Sequence, residues 1–144
     1  MMIKEMLENY MNFKAEIKNI EYNIKKIELD EVSISGSNYS VNGDIKPKGY
    51  MSSNTENKII KNVDRIKLLE KQKNELEAKI EMIDGLINTL SDYHREIIDL
   101  KYKYNKNNNQ IATIMKREER TIRKAIKKIL NILDEKYKEF LKSS

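Results

Sequence analysis

From Ile3 the apolar side chains recur at alternating steps of three and four: Ile3, Met6, Tyr10, Phe13, Ile17, Ile20, Ile24 and Ile27. The positions between them are mostly Lys, Glu and Asn. This 3.5-residue period predicts one coiled-coil-type helix over about residues 3–31, ~43 Å long at ~1.5 Å of rise per residue. A narrow apolar seam on a polar helix is not stable in isolation, so the helix requires a partner.

Residues 32–54, VSISGSNYSVNGDIKPKGYMSSN, break the pattern with Ser, Gly, Asn and Pro47. They read as a flexible connection, or as one that orders on a partner. Val32, Ile34, Tyr39 and Val41 carry a weak hairpin signal around Gly36–Asn38. A second long helix is expected from Ser53, where Ser53 and Glu56 fit an S-x-x-E capping box. Its seam runs Ile59, Asn62, Ile66, Leu69, Lys73, Leu76, Ile80, Ile83, Ile87 and Leu90, with Val63 and Leu68 widening the stripe. The two seams satisfy each other as an antiparallel hairpin within one chain; pairing between chains, giving a homodimer, satisfies the same pattern. Asn62 and Lys73 are polar seam positions of the kind that fix register. Gly85 marks a bend or is simply tolerated.

The last third has a different period. Ser91 is a candidate cap for a helix from Asp92 to about Tyr104, with Ile97, Ile98, Leu100 and Tyr104 directed inward. A polar turn follows at 105–109, and Asn107 with Gln110 three residues on makes a second capping signal. Between Gln110 and Leu130 the spacing is that of a helix-turn-helix. Ile111, Ala112 and Met115 share one face of a short first helix, and Ile122, Ala125, Ile126 and Ile129 one face of a second. The apolar stripe continues through Leu130, Leu133, Tyr137, Phe140 and Leu141, either packing back on the protein or forming a dimer contact. The fold class expected is therefore all-α: a helical hairpin over 1–89 and a helix-turn-helix domain over 90–144.

Charge sharpens this picture. Residues 101–144 hold 13 Lys/Arg against 5 Asp/Glu, whereas residues 1–100 hold 15 against 18. Lysine-rich coding does not explain acids thinning out only at the end, and the segregation favours a polyanionic partner. The outer face of the second helix carries Arg120, Thr121, Arg123, Lys124, Lys127 and Lys128. A cationic helix face glued down by its apolar face is what entry into the major groove of double-stranded DNA requires. Arg120 and Arg123 suit bidentate contact with guanine, at ~1–3 kcal/mol of discrimination each. Thr121 suits a thymine methyl or the turn itself. Gln110, Arg117, Lys127 and Lys128 are placed for phosphates, and about five phosphate contacts across the whole face predict a slope of about −4 to −5 in log K against log salt.

Other chemistry is disfavoured. The chain has no Cys and a single His94, read as an exposed helix residue, so thiolate metal sites are excluded and neither a zinc cluster, a cofactor nor an enzyme activity is expected. No apolar run approaches membrane-spanning length and the N-terminus lacks a signal-peptide layout, so a soluble cytoplasmic protein with no membrane partner is expected. Tyr93, Tyr102 and Tyr104 read as packing groups rather than base-stacking platforms.

Residues 90–130 resemble region four of bacterial sigma factors. They resemble more closely the phage late-gene transcription activators that carry such a domain behind a helical N-terminal part. The residues that carry the resemblance are Leu90, Arg95, Glu96, Ile98, Leu100, Tyr102, Gln110-Ile111-Ala112, Met115 and Arg120-Thr121-Ile122. The resemblance implies promoter reading by Arg120, Thr121, Arg123 and Lys124, and RNA polymerase as a further partner. The family's turn carries Gly and an apolar residue where this chain has Lys116 and Arg117, and Glu118 stands where Ser or Thr would cap. Lys116 must therefore adopt a backbone conformation that Gly takes more easily. A DNA-packaging protein of the small-terminase type, oligomerising through its N-terminal helices, is the alternative function.

Overall fold

A computed structural model describes residues 2–37 and 53–143, with side chains over 3–30 and 56–143. Among the described residues the chain is all helical: α1 Met2–Glu8, α2 Tyr10–Ser37, α3 Ser53–Asn88, α4 Asp92–Tyr102, α5 Asn108–Met115 and α6 Glu119–Ser143. It divides into two compact units, one of Met1–Lys14 with Glu77–Ser144 and the other of Ala15–Leu76. Residues of α1 share one core with residues of α4, α5 and α6.

The expected single helix over 3–31 is interrupted at Asn9. The Asn9 side-chain amide donates to the Glu5 carbonyl at 2.9 Å, beside the backbone bond from Asn9 N at 3.0 Å. An Asn side chain that competes for a helical carbonyl weakens the turn it sits in. At the far end α2 runs on to Ser37, so Val32, Ile34 and Gly36 are helical and not part of a β-hairpin. Adding residues to an existing helix is easier than closing an isolated two-stranded ribbon. Tyr39, Val41 and most of the 32–54 connection lie outside the described residues, as does the side chain of Ser53.

In the unit Ala15–Leu76 the two helices pair within the chain and run antiparallel. Glu21 faces Lys73 at 3.6 Å, while further along α2 Ile27 and Asp30 line a groove with Arg65, Leu68 and Leu69. Ile17, Ile20, Ile24, Ile59, Ile66 and Leu69 are half-buried and Ile27 is buried, as the seam requires. Asn62 is buried too, only 5% exposed, at its seam position. Val63 and Leu68 do not widen the stripe: they are 41% and 57% exposed. Two helices cover one line of side chains, and a broader apolar face needs a third element.

The unit of Met1–Lys14 and Glu77–Ser144 holds the main core. Ile3, Leu7 and Tyr10 join Ile83, Ile87, Leu90, Ile97, Ile98, Ile111, Ile122, Ile129 and Leu133 in one buried cluster. Tyr10 donates its hydroxyl to Asp84 Oδ1 at 2.8 Å, and Lys103 Nζ lies 3.3 Å from the same carboxylate and 3.5 Å from Asp99. Burial alone would lower the Lys103 pKa, but Asp99 and Asp84 outweigh it and the net direction is up. The ammonium therefore stays charged at neutral pH. Gly85 sits exposed within unbroken α3, and a Cβ there would meet nothing within 4 Å. No helix among the described residues is long and apolar enough to cross a membrane.

Candidate nucleic-acid interface

The group of α4, α5 and α6 is built by its caps. Ser91 Oγ accepts from His94 N at 3.3 Å to start α4. This helix ends at Tyr102, short of the expected Tyr104, and Asn105 takes a positive φ of 53° in the turn. Tyr104 is consequently exposed rather than directed inward, whereas Tyr93 and Tyr102 pack half-buried against the core. His94 is half-buried rather than exposed, its ring 5.8 Å from that of Tyr93. At α5 the capping box is complete: Gln110 N donates to Asn107 Oδ1 at 2.8 Å, and Asn107 N donates to Gln110 Oε1 at 2.9 Å.

The turn closes with the bond pair of a Schellman motif. Arg117 N donates to Ala112 O at 2.9 Å and Lys116 N to Thr113 O at 3.3 Å. This requires a left-handed residue after the helix, and Lys116 supplies it at φ 57°, ψ 48°. An L-residue with a Cβ pays about 1–2 kcal/mol for that region relative to a right-handed conformation. Lys116→Gly should therefore raise stability by about 1 kcal/mol, after the entropy Gly loses on folding. A urea titration followed by circular dichroism checks it; a lower midpoint would mean that the lysine side chain contributes more than its backbone costs.

After the turn, Glu118 O accepts from Ile122 N at 3.1 Å and α6 begins at Glu119. Ile122, Ala125, Ile126, Ile129, Leu130 and Leu133 are buried and Tyr137 packs on the core, so the stripe packs back over most of its length. Phe140 and Leu141, at the end, are 46% and 50% exposed.

All eight candidate contact residues, Gln110, Arg117, Arg120, Thr121, Arg123, Lys124, Lys127 and Lys128, are exposed. At about 100° per residue the six on α6 span roughly 160° of its circumference. Arg120, Lys124 and Lys127 occupy the middle of that arc, with Thr121 and Arg123 at opposite edges. Arg123 also pairs with Glu119 at 2.9 Å, four residues back. The pair neutralises an acid that would otherwise repel phosphate next to Arg120. Gln110 has its oxygen engaged in the capping box, which leaves the amide nitrogen as its donor for a ligand. Arg117 lies over the Tyr93 ring, 5.6 Å from its centroid, a cation–π contact that fixes where its charge is held.

Two features of this surface were not evident from sequence. The Glu119–Arg123 pair has an i,i+4 spacing that could have announced it. Tyr93 beneath Arg117 joins residues 24 positions apart, and no local pattern signals it. Among the described residues no group of His, Cys, Asp and Glu is arranged to hold a metal ion. No protein-family model, curated protein or solved structure matches the chain.

Proposed function

We propose that this protein is a sequence-specific DNA-binding transcription regulator of phage or prophage type. In this reading the first turns of α6, about 119–130, enter the major groove. Arg120 contacts base edges from the centre of the exposed face; Thr121 and Arg123 flank it, and Lys124, Lys127 and Lys128 meet phosphates with Gln110 and Arg117. The mechanism is recruitment, with RNA polymerase as the proposed protein partner and no catalytic step.

The observation that carries the reading is the division of α6 into two faces. One is a row of buried Ile and Leu, and the other is an exposed row of Arg and Lys. A merely solvated cationic helix has no need of a capped α5 crossing it through a left-handed turn. The test is selection of bound sequences from random duplexes, together with the mass of the complex. A defined site bound by a monomer or dimer is expected. A ring-sized oligomer without sequence preference would favour the packaging alternative, and absence of binding at low salt would refute both.

A further inference from the structure

Beside α1 a cleft of about 450 Å³ opens against the α4–α5 connection, lined by Lys4, Glu8, Lys101, Tyr102, Lys106 and Asn107, among others. Its cations come from separate stretches of chain: Lys4 on α1, Lys101 near the end of α4, and Lys106 in the connection. Lys4 is exposed and the other two are half-buried. Lys101 Nζ donates to Asn108 Oδ1 at 3.0 Å, which holds the ammonium in place while leaving it further protons to donate. Glu8 is the one acid among the lining residues, so three ammonium groups face one carboxylate. Burial, and then the Glu8 carboxylate, push the Tyr102 phenol above its usual range, so it adds no negative charge.

The cleft borders the N-terminus of α5. Asn107 lines it and exchanges both bonds of the capping box with Gln110, a candidate phosphate contact. We infer that this cleft takes a backbone phosphate of the same DNA duplex, so that Lys4 and Lys106 extend the interface onto the N-terminal helix. The inference rests on the DNA-binding reading above. Lysine suits the task, because a compact point charge on a flexible stem neutralises a phosphodiester without demanding one geometry. A DNA-binding surface made only of residues 90–130 would leave this cluster of like charges without a purpose.

The test uses the full chain and a mixed-sequence duplex, with affinity measured across a potassium chloride series. Replacing both lysines, K4Q with K106Q, should make the slope of log K against log salt shallower by about 2. At ~0.1 M salt the affinity should fall about eightfold per lysine. Lys4→Arg should keep the wild-type slope, and Glu8→Gln should tighten binding. An unchanged slope in the double variant, while Arg120→Ala weakens binding, would overturn this inference and leave the α6 assignment standing. Lys4→Arg behaving like Lys4→Gln would also overturn it, by showing that shape rather than charge matters there. Failure of the wild-type chain to bind duplex DNA would overturn both readings.

Discussion

Replacing Arg120 and Lys124 together by Ala should abolish recognition of the selected site while leaving the fold intact. Both side chains are exposed at the centre of the outward arc of α6, so neither contributes to the core. Loss of a bidentate guanine contact costs about 1–3 kcal/mol, or roughly 5-fold to 150-fold in affinity for the correct base. Loss of one phosphate contact adds about eightfold near ~0.1 M salt. The two should also differ in kind: Arg120→Ala alone relaxes preference at one base position, whereas Lys124→Ala weakens all sequences alike and lowers the salt slope by about 1. Arg123→Ala should cost less than Arg120→Ala, because Arg123 stands at the edge of the arc and already pairs with Glu119. Competition binding on the selected duplex and on single-base variants measures each of these. Equal losses on every sequence for Arg120→Ala would remove it from base reading.

Leu7→Ala should destabilise the unit of Met1–Lys14 and Glu77–Ser144 by about 2–5 kcal/mol, although Leu7 stands more than a hundred positions before α6. Leu7 is 1% exposed, and it belongs to the same cluster as Ile122, Ile129 and Leu133. Removing it leaves a cavity lined by residues from both ends of the chain. Tyr22→Ala is the matched control: Tyr22 is 66% exposed on α2, and the change should fall within about 0.5 kcal/mol. Urea midpoints by circular dichroism compare the two. If Leu7→Ala behaves like Tyr22→Ala, α1 is not part of the core and a domain of residues 90–144 would suffice.

The capped α5 and the turn into α6 were legible in the sequence because their signals are local. Asn107 and Gln110 announce their capping box at a fixed spacing, and the isoleucines of α6 repeat with the helix period. The demand on Lys116 could likewise be read from a missing glycine. The placement of α1 was not legible from the seam alone. Ile3, Met6 and Tyr10 fit a seam that continues to Ile27, and such a seam does not say which helix covers it. Leu7 held the available clue: with Ile3, Met6 and Tyr10 it makes a broad i, i+3, i+4, i+7 face, wider than a coiled-coil line and suited to a globular core. Val63 and Leu68 went the other way. Their apolar character suggested a broader stripe, but a pair of helices has no third surface to cover it. The cleft beside Lys4 was beyond sequence reasoning, because Lys4 meets Lys101 and Lys106 only through the tertiary packing of α1.

The most direct measurement is amide chemical-shift mapping of the full chain with its selected duplex. The shifts should move at Arg117 and along Glu119–Lys128, with Gln110 and the Lys4–Lys106 cleft responding at the margin, and Ala15–Leu76 largely still. Changes confined to Ala15–Leu76, or none along α6 at saturating duplex, would contradict the account.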